Sequence, residues 1–181
     1  MKLISFKGLI FFSFMTLFVF LSLGHFPAFA SDKPKPRVHP TLELYAHDAS
    51  DDCKADGLQI RVSAQNITPK GILKLEIYNS EDGFLFKKGR LRKVRLEAKQ
   101  SPMLVCLNVS KPGRYAIAGY HDLDGDRKLK KKWDFTPKEP YGLSNNPVYR
   151  SRRLPKFEEA AFTVGETGAD IEIFFKRVGK S

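Results

Sequence analysis

The chain has 181 residues, 42% of them hydrophobic, with 31 Lys and Arg against 20 Asp and Glu and a formal charge of +11. That is long and apolar enough to bury a core, which excludes an intrinsically disordered polymer. The excess of positive charge favours anionic partners, but the basic residues are not interleaved with aromatics as single-stranded nucleic-acid grooves require, so no nucleic acid is expected.

Lys2 and Lys7 precede an apolar run from Leu9 to Leu23, and Pro27-Ala28-Phe29-Ala30 closes it in the A-x-A manner. This is the three-part pattern of a secretory signal peptide spanning residues 1–30, and it predicts an exported protein, periplasmic or extracellular, that meets the membrane only during transit. An uncleaved anchor is the alternative, because the run extended to Phe26 approaches the ~20 residues that span a bilayer. Residues 31–41 hold three prolines and no apolar period, so an extended linker is expected before a folded domain over residues 42–178.

Strict alternation marks the strands that follow. Leu58, Ile60, Val62 and Ala64 share one face of the first; Leu73, Leu75 and Ile77 share one face of the second, after a turn at Thr68-Pro69-Lys70-Gly71. Leu91 to Ala98 and Met103 to Val109 give two more, and Tyr115 to Tyr120 is a core strand entered by Pro112-Gly113. Ala160 to Val164 and Ile171 to Lys176 complete seven strands, with Leu42 to Tyr45 as a short additional edge and one turn of helix at Lys156 to Ala160. The pattern predicts an all-β fold, an antiparallel seven-stranded sandwich of immunoglobulin-like or transthyretin-like type, with one long loop insertion between Asp122 and Lys156.

Four stretches, taken together and in order, resemble the bacterial family called domain of unknown function 2141. They are Gly113 to Asp126 (Gly-Arg-Tyr-Ala-Ile-Ala-Gly-Tyr-His-Asp-Leu-Asp-Gly-Asp), Tyr141 to Asn146 (Tyr-Gly-Leu-Ser-Asn-Asn), Pro155 to Phe162 (Pro-Lys-Phe-Glu-Glu-Ala-Ala-Phe) and the first strand pair. The resemblance spans about Leu58 to Arg177 and implies an exported β-sandwich domain of bacteria with no established activity. The family loop tends to read His-Asp-x-Asn-Gly-Asn-Gly-x-Leu-Asp. Here Arg127 stands in the second glycine position and Lys130 in the last acidic one, which opposes any shared role in binding a cation.

His121, Asp122, Asp124 and Asp126 form the leading candidate for an ion or ligand loop. Carboxylates at alternate positions are what calcium requires, but Arg127 replaces the glycine of an EF-hand loop, no glutamate follows at the twelfth position, and Lys128, Lys130, Lys131 and Lys132 repel a cation. A carboxylate-rich turn neutralised by these lysines is the expected state, no cofactor is expected, and calcium is the alternative. A His121–Asp122 pair is the one candidate for general-base chemistry in an envelope hydrolase, and the usual nucleophile motifs are absent. That reading requires a pocket lined by the Tyr141 to Asn146 loop. Trp133, Tyr141, Ser144 and Asn145, together with Phe135 and Tyr149, are candidate aromatics and amides for stacking on a sugar or partner surface. Cys53 and Cys106, an even pair in an exported chain, predict one disulfide, with Cys106 off the main core face. Lys87, Lys88, Arg90, Arg92, Lys93 and Arg95, and later Arg150, Arg152, Arg153 and Lys156, form a candidate basic surface. These features predict a non-enzymatic binding or structural module of the cell envelope, its partner an anionic polymer or lipid or another envelope protein.

Overall fold

The computed structural model describes residues 42–134, 136–148 and 153–178. The expected leader and linker lie outside the described residues, as do Phe135, Tyr149, Arg150 and Arg152. Among the described residues no helix is long and apolar enough to cross a membrane.

Among the described residues the fold is all-β, with eight strands in two sheets and almost no helix. The alternating segments become β1 (Gln59–Gln65), β2 (Ile72–Tyr78), β3 (Arg92–Glu97) and β4 (Met103–Asn108), and the aromatic run extends to a ten-residue β5 (Gly113–Asp122). β6 (Tyr141–Leu143) follows inside the expected insertion, then α1 (Phe157–Ala160), β7 (Phe162–Val164) and β8 (Ala169–Phe174).

Three expectations require correction. The strand count is eight, because Tyr141–Leu143 pairs with β5 through Gly119↔Gly142; three residues are too few for a periodic signal. The sheets are not wholly antiparallel, since β8 runs parallel to β1 with Val62 opposite Ile171. Residues 42–45 form a turn and a single bridge followed by a 3₁₀ turn at Ala46–Asp48, not an edge strand.

The smaller sheet has the order β4-β1-β8; the larger runs β3-β2-β5-β6, with β7 on the far end of β5. The inward positions of both sheets contribute to one core. Ile60, Val62, Leu107 and Ile173 come from the first sheet, and Leu75, Ile77, Val94 and Ile117 from the second. Each such side chain contributes about 1.5–3 kcal/mol by leaving water, so this shared core fixes the register of both sheets. The outer face of the larger sheet divides in two. One half, Tyr78, Ala116, Ala118 and Leu143, is covered by Phe84 and by Phe157 of α1. The other half is polar, and it carries the candidate site.

Cys53 and Cys106 form the expected disulfide, 53 residues apart. Cys106 alternates with the core residues Val105 and Leu107 and so faces the outer side of its sheet, where the bridge ties down the segment before β1. Asp51 strengthens that tether: its N–H donates to Cys106 O at 2.9 Å, and its carboxylate accepts the Asn108 N–H at 2.7 Å.

Candidate functional site

Alternation along β5 sends His121 and Asp122 to opposite faces. His121 is fully buried beside the core, its Nε2 donating to Lys70 O at 2.7 Å. Asp122, also buried, instead organises the turn that follows. Its Oδ1 accepts the Gly125 N–H at 2.8 Å and its Oδ2 the Arg127 N–H at 2.6 Å. Both oxygens thereby fold the loop over itself. Gly125 (φ 73°) and Arg127 (φ 63°) are left-handed, so the backbone keeps at position 127 the conformation that favours glycine, and holds an arginine in it at a cost on the order of 1 kcal/mol.

Carboxylate oxygens of Asp122, Asp124 and Asp126 lie within 4.8 Å of one another. The Lys130 ammonium bridges Asp124 and Asp126, lying 3.0 Å from Asp126 Oδ2. The Lys130 bond holds the Asp124 carboxyl below its usual range; for Asp126 the Lys128 N–H does so first and Lys130 adds to it. Asp122 moves the other way, raised by burial. Each Asp122 oxygen accepts one N–H and the Lys130 ammonium already sits at Asp124 and Asp126, so a divalent ion would have to compete with these donors for the same oxygens. Asp134 stands apart, accepting the Thr136 N–H at 3.0 Å.

Glu139 was not singled out by the sequence. It is 6% exposed, with one carboxylate oxygen that finds no hydrogen-bond partner. Burial, with Asp122 and then Asp124 nearby, pushes its carboxyl up to about 7, against opposing N–H groups of Leu123 and Lys130. His121 N–H donates to Pro140 O, which brings Glu139 alongside the end of β5. A lone glutamate between Lys138 and Pro140 carries no periodic signal, and only the cross-strand pairing reveals it.

Tyr141, Ser144 and Asn145 serve the fold. Ser144 is fully buried; its Oγ accepts the Ile117 N–H at 2.9 Å and donates to Ala160 O at 2.5 Å. Asn145 Nδ2 donates to Ala161 O at 2.7 Å. Tyr141 pairs in β6 and its backbone also bonds Lys176. This segment latches β5 to α1 and β8. Trp133 is not part of it and stands 94% exposed.

The open basic surface is largely neutralised. Arg90 pairs with Glu76, Arg92 with Asp51, and Lys88 with Asp82. Asp48, 2% exposed, receives Arg95 at 2.8 Å and Lys93 at 3.0 Å. Its carboxyl is raised by burial, but the bonds from Lys93 and Arg95 outweigh that and hold it below the usual range. Lys87 has no ion-pair partner among the described residues.

One part stays positive. A cleft of about 370 Å³ lies between the 3₁₀ turn and the aspartate loop, lined by Tyr45, His47, Asp48, Lys93, Arg95, Asp126, Arg127 and Lys128. Four permanent cations there face two carboxylates, and Asp126 is already engaged by Lys130. Arg127 pairs outward with Glu43 at 2.8 Å and lies over the Tyr45 ring. Lys128 has no counter-ion among the described residues, and the buried Arg95 Nε–H has no acceptor.

No match was found among curated proteins, and none among solved structures. A family profile described as an uncharacterized protein conserved in bacteria, DUF2141, matches residues 62–172, more than half of the chain.

Proposed function

The chain belongs to this uncharacterized bacterial family, DUF2141, and on that premise we propose that it is an exported, non-enzymatic binding module of the bacterial cell envelope that takes an anionic group into the Tyr45–Lys128 cleft. The reading takes residues 1–30 as a leader, 31–41 as a spacer and 42–178 as the domain, an immunoglobulin-like or transthyretin-like sandwich. The Cys53–Cys106 bridge supports export, since disulfides persist in oxidising compartments.

The observation that carries the proposal is a cleft whose cations exceed its carboxylates, with Lys128 lacking a counter-ion among the described residues. Phosphate or carboxylate groups of an envelope polymer, lipid or protein partner supply the missing negative charge. Titration calorimetry with inorganic phosphate tests it. Saturable binding that weakens in Arg95→Met and Lys128→Gln is the expected result, and equal heats from wild type and both variants would rule the cleft out.

A second reading, a calcium-stabilised adhesion or scaffolding loop, draws on the clustering of Asp122, Asp124 and Asp126. The Lys130 bridge opposes it. A hydrolase using His121 and Asp122 has the least support, because both side chains are buried and they face opposite sides of the sheet.

A further inference from the structure

The aspartate loop leads into a small hairpin whose tip has no role in the cleft. Lys131 pairs with Pro137, the Lys132 N–H donates to Thr136 O at 2.8 Å, and the Lys138 N–H donates to Lys130 O at 2.8 Å. These bonds hold Trp133 at the turn, where it is 94% exposed. It is the only tryptophan in the chain. Lys131, Lys132 and Lys138 are exposed on the same hairpin, and among the described residues none has an ion-pair partner. Lys130 alone turns inward, to Asp124 and Asp126.

We infer that the Lys130–Lys138 hairpin docks the protein onto an anionic lipid bilayer, with Trp133 entering the headgroup zone and Lys131, Lys132 and Lys138 meeting lipid phosphates. An indole has an apolar body and a polar N–H, and it is most stable where hydrocarbon meets water. Lysines bury their stems while keeping the ammonium at phosphate depth. The lysines around the tip match the negative charge of such a surface, and the hairpin's backbone bonds remove the ordering cost of presenting them. The inference is independent of the anion cleft, because none of Lys131, Lys132, Trp133 and Lys138 lines it.

Because Trp133 is the sole indole, its emission reports this contact and no other part of the chain. The test adds vesicles of phosphatidylglycerol or of phosphatidylcholine to the full chain and records Trp133 emission, together with quenching by brominated lipid of each kind. Phosphatidylglycerol should give a blue shift and quenching that weaken as salt rises, and phosphatidylcholine should give neither. Lys131→Glu with Lys132→Glu should abolish the shift, and Lys131→Gln with Lys132→Gln should lower partitioning roughly fivefold per lysine, with far-ultraviolet dichroism unchanged in both. Unchanged emission, an equal shift with phosphatidylcholine, or an equal shift with soluble polyphosphate would overturn the inference.

Discussion

Lys130 lies 3.0 Å from Asp126 and also bonds Asp124, so its ammonium stands among carboxylates at the position where the resemblance places an acidic residue. The loop carries its own cation. Thermal unfolding of the wild type should therefore be insensitive to calcium and to chelator. Lys130→Asp removes the tethered charge and adds a fourth carboxylate, and it should convert the loop to one whose melting temperature rises with calcium and falls with chelator. A calcium response in the wild type, or none in Lys130→Asp, would contradict the assignment.

Glu139 gives the fold a dependence on pH opposite to that of most carboxylates. Folding raises its pKa from 4.5 to about 7, so the folded chain keeps a proton that the unfolded chain releases between those values. The stabilisation is full below about pH 4.5 and is lost as pH rises through 7; Asp122, also raised, acts in the same sense. Asp48, Asp51 and Glu76 are held low by their basic partners and act oppositely, in more acidic solution. Glu139→Gln isolates the first effect. Urea unfolding should find it as stable as wild type near pH 4 and more stable by on the order of 1–2 kcal/mol at pH 8.

Asp48 is the counter-ion that holds one wall of the cleft. Asp48→Asn leaves Lys93 and Arg95, both largely covered, without a carboxylate, and should destabilise the domain by about 2–3 kcal/mol. The same change raises the charge of the cleft, so phosphate should bind more tightly to the folded variant. Stability and affinity moving in opposite directions, read by urea unfolding and calorimetry, distinguish this role from a purely structural one.

The disulfide closes a loop with a sequence separation of 53. In the chain-entropy treatment that constraint contributes ~4 kcal/mol. Paired replacement of Cys53 and Cys106 by alanine should lower the unfolding free energy by about that amount. It should also weaken phosphate binding, because the segment it releases carries Asp51 and, three residues earlier, Asp48.

Much of this architecture is written locally. Leu58 to Ala64 and Ile72 to Asn79 alternate because each strand has one face in the core, and β1 and β2 form where that pattern lies. The cysteine pair, the aspartate turn and its neutralisation by lysine were legible for the same reason, since each depends on residues close in the chain or few in kind. Partners distant in sequence were not legible. Asp48 meets Arg95 and Glu139 comes beside Asp122 only after the sheets have formed. Ser144 and Asn145 look like ligand-binding groups in a loop, yet they bond the carbonyls of Ala160 and Ala161 in the folded chain.

The parallel pairing of β8 with β1 joins segments that begin more than a hundred residues apart. Until Ala169–Phe174 has left the ribosome, the edge of β1 that receives it stands open, its N–H and C=O groups ready to pair with any extended chain. The smaller sheet is therefore completed only once residues 169–174 have been made, and a molecule stopped short of residue 169 would carry an adhesive edge in place of a finished sheet. The strand that seals this sheet is also the last made of the eight described.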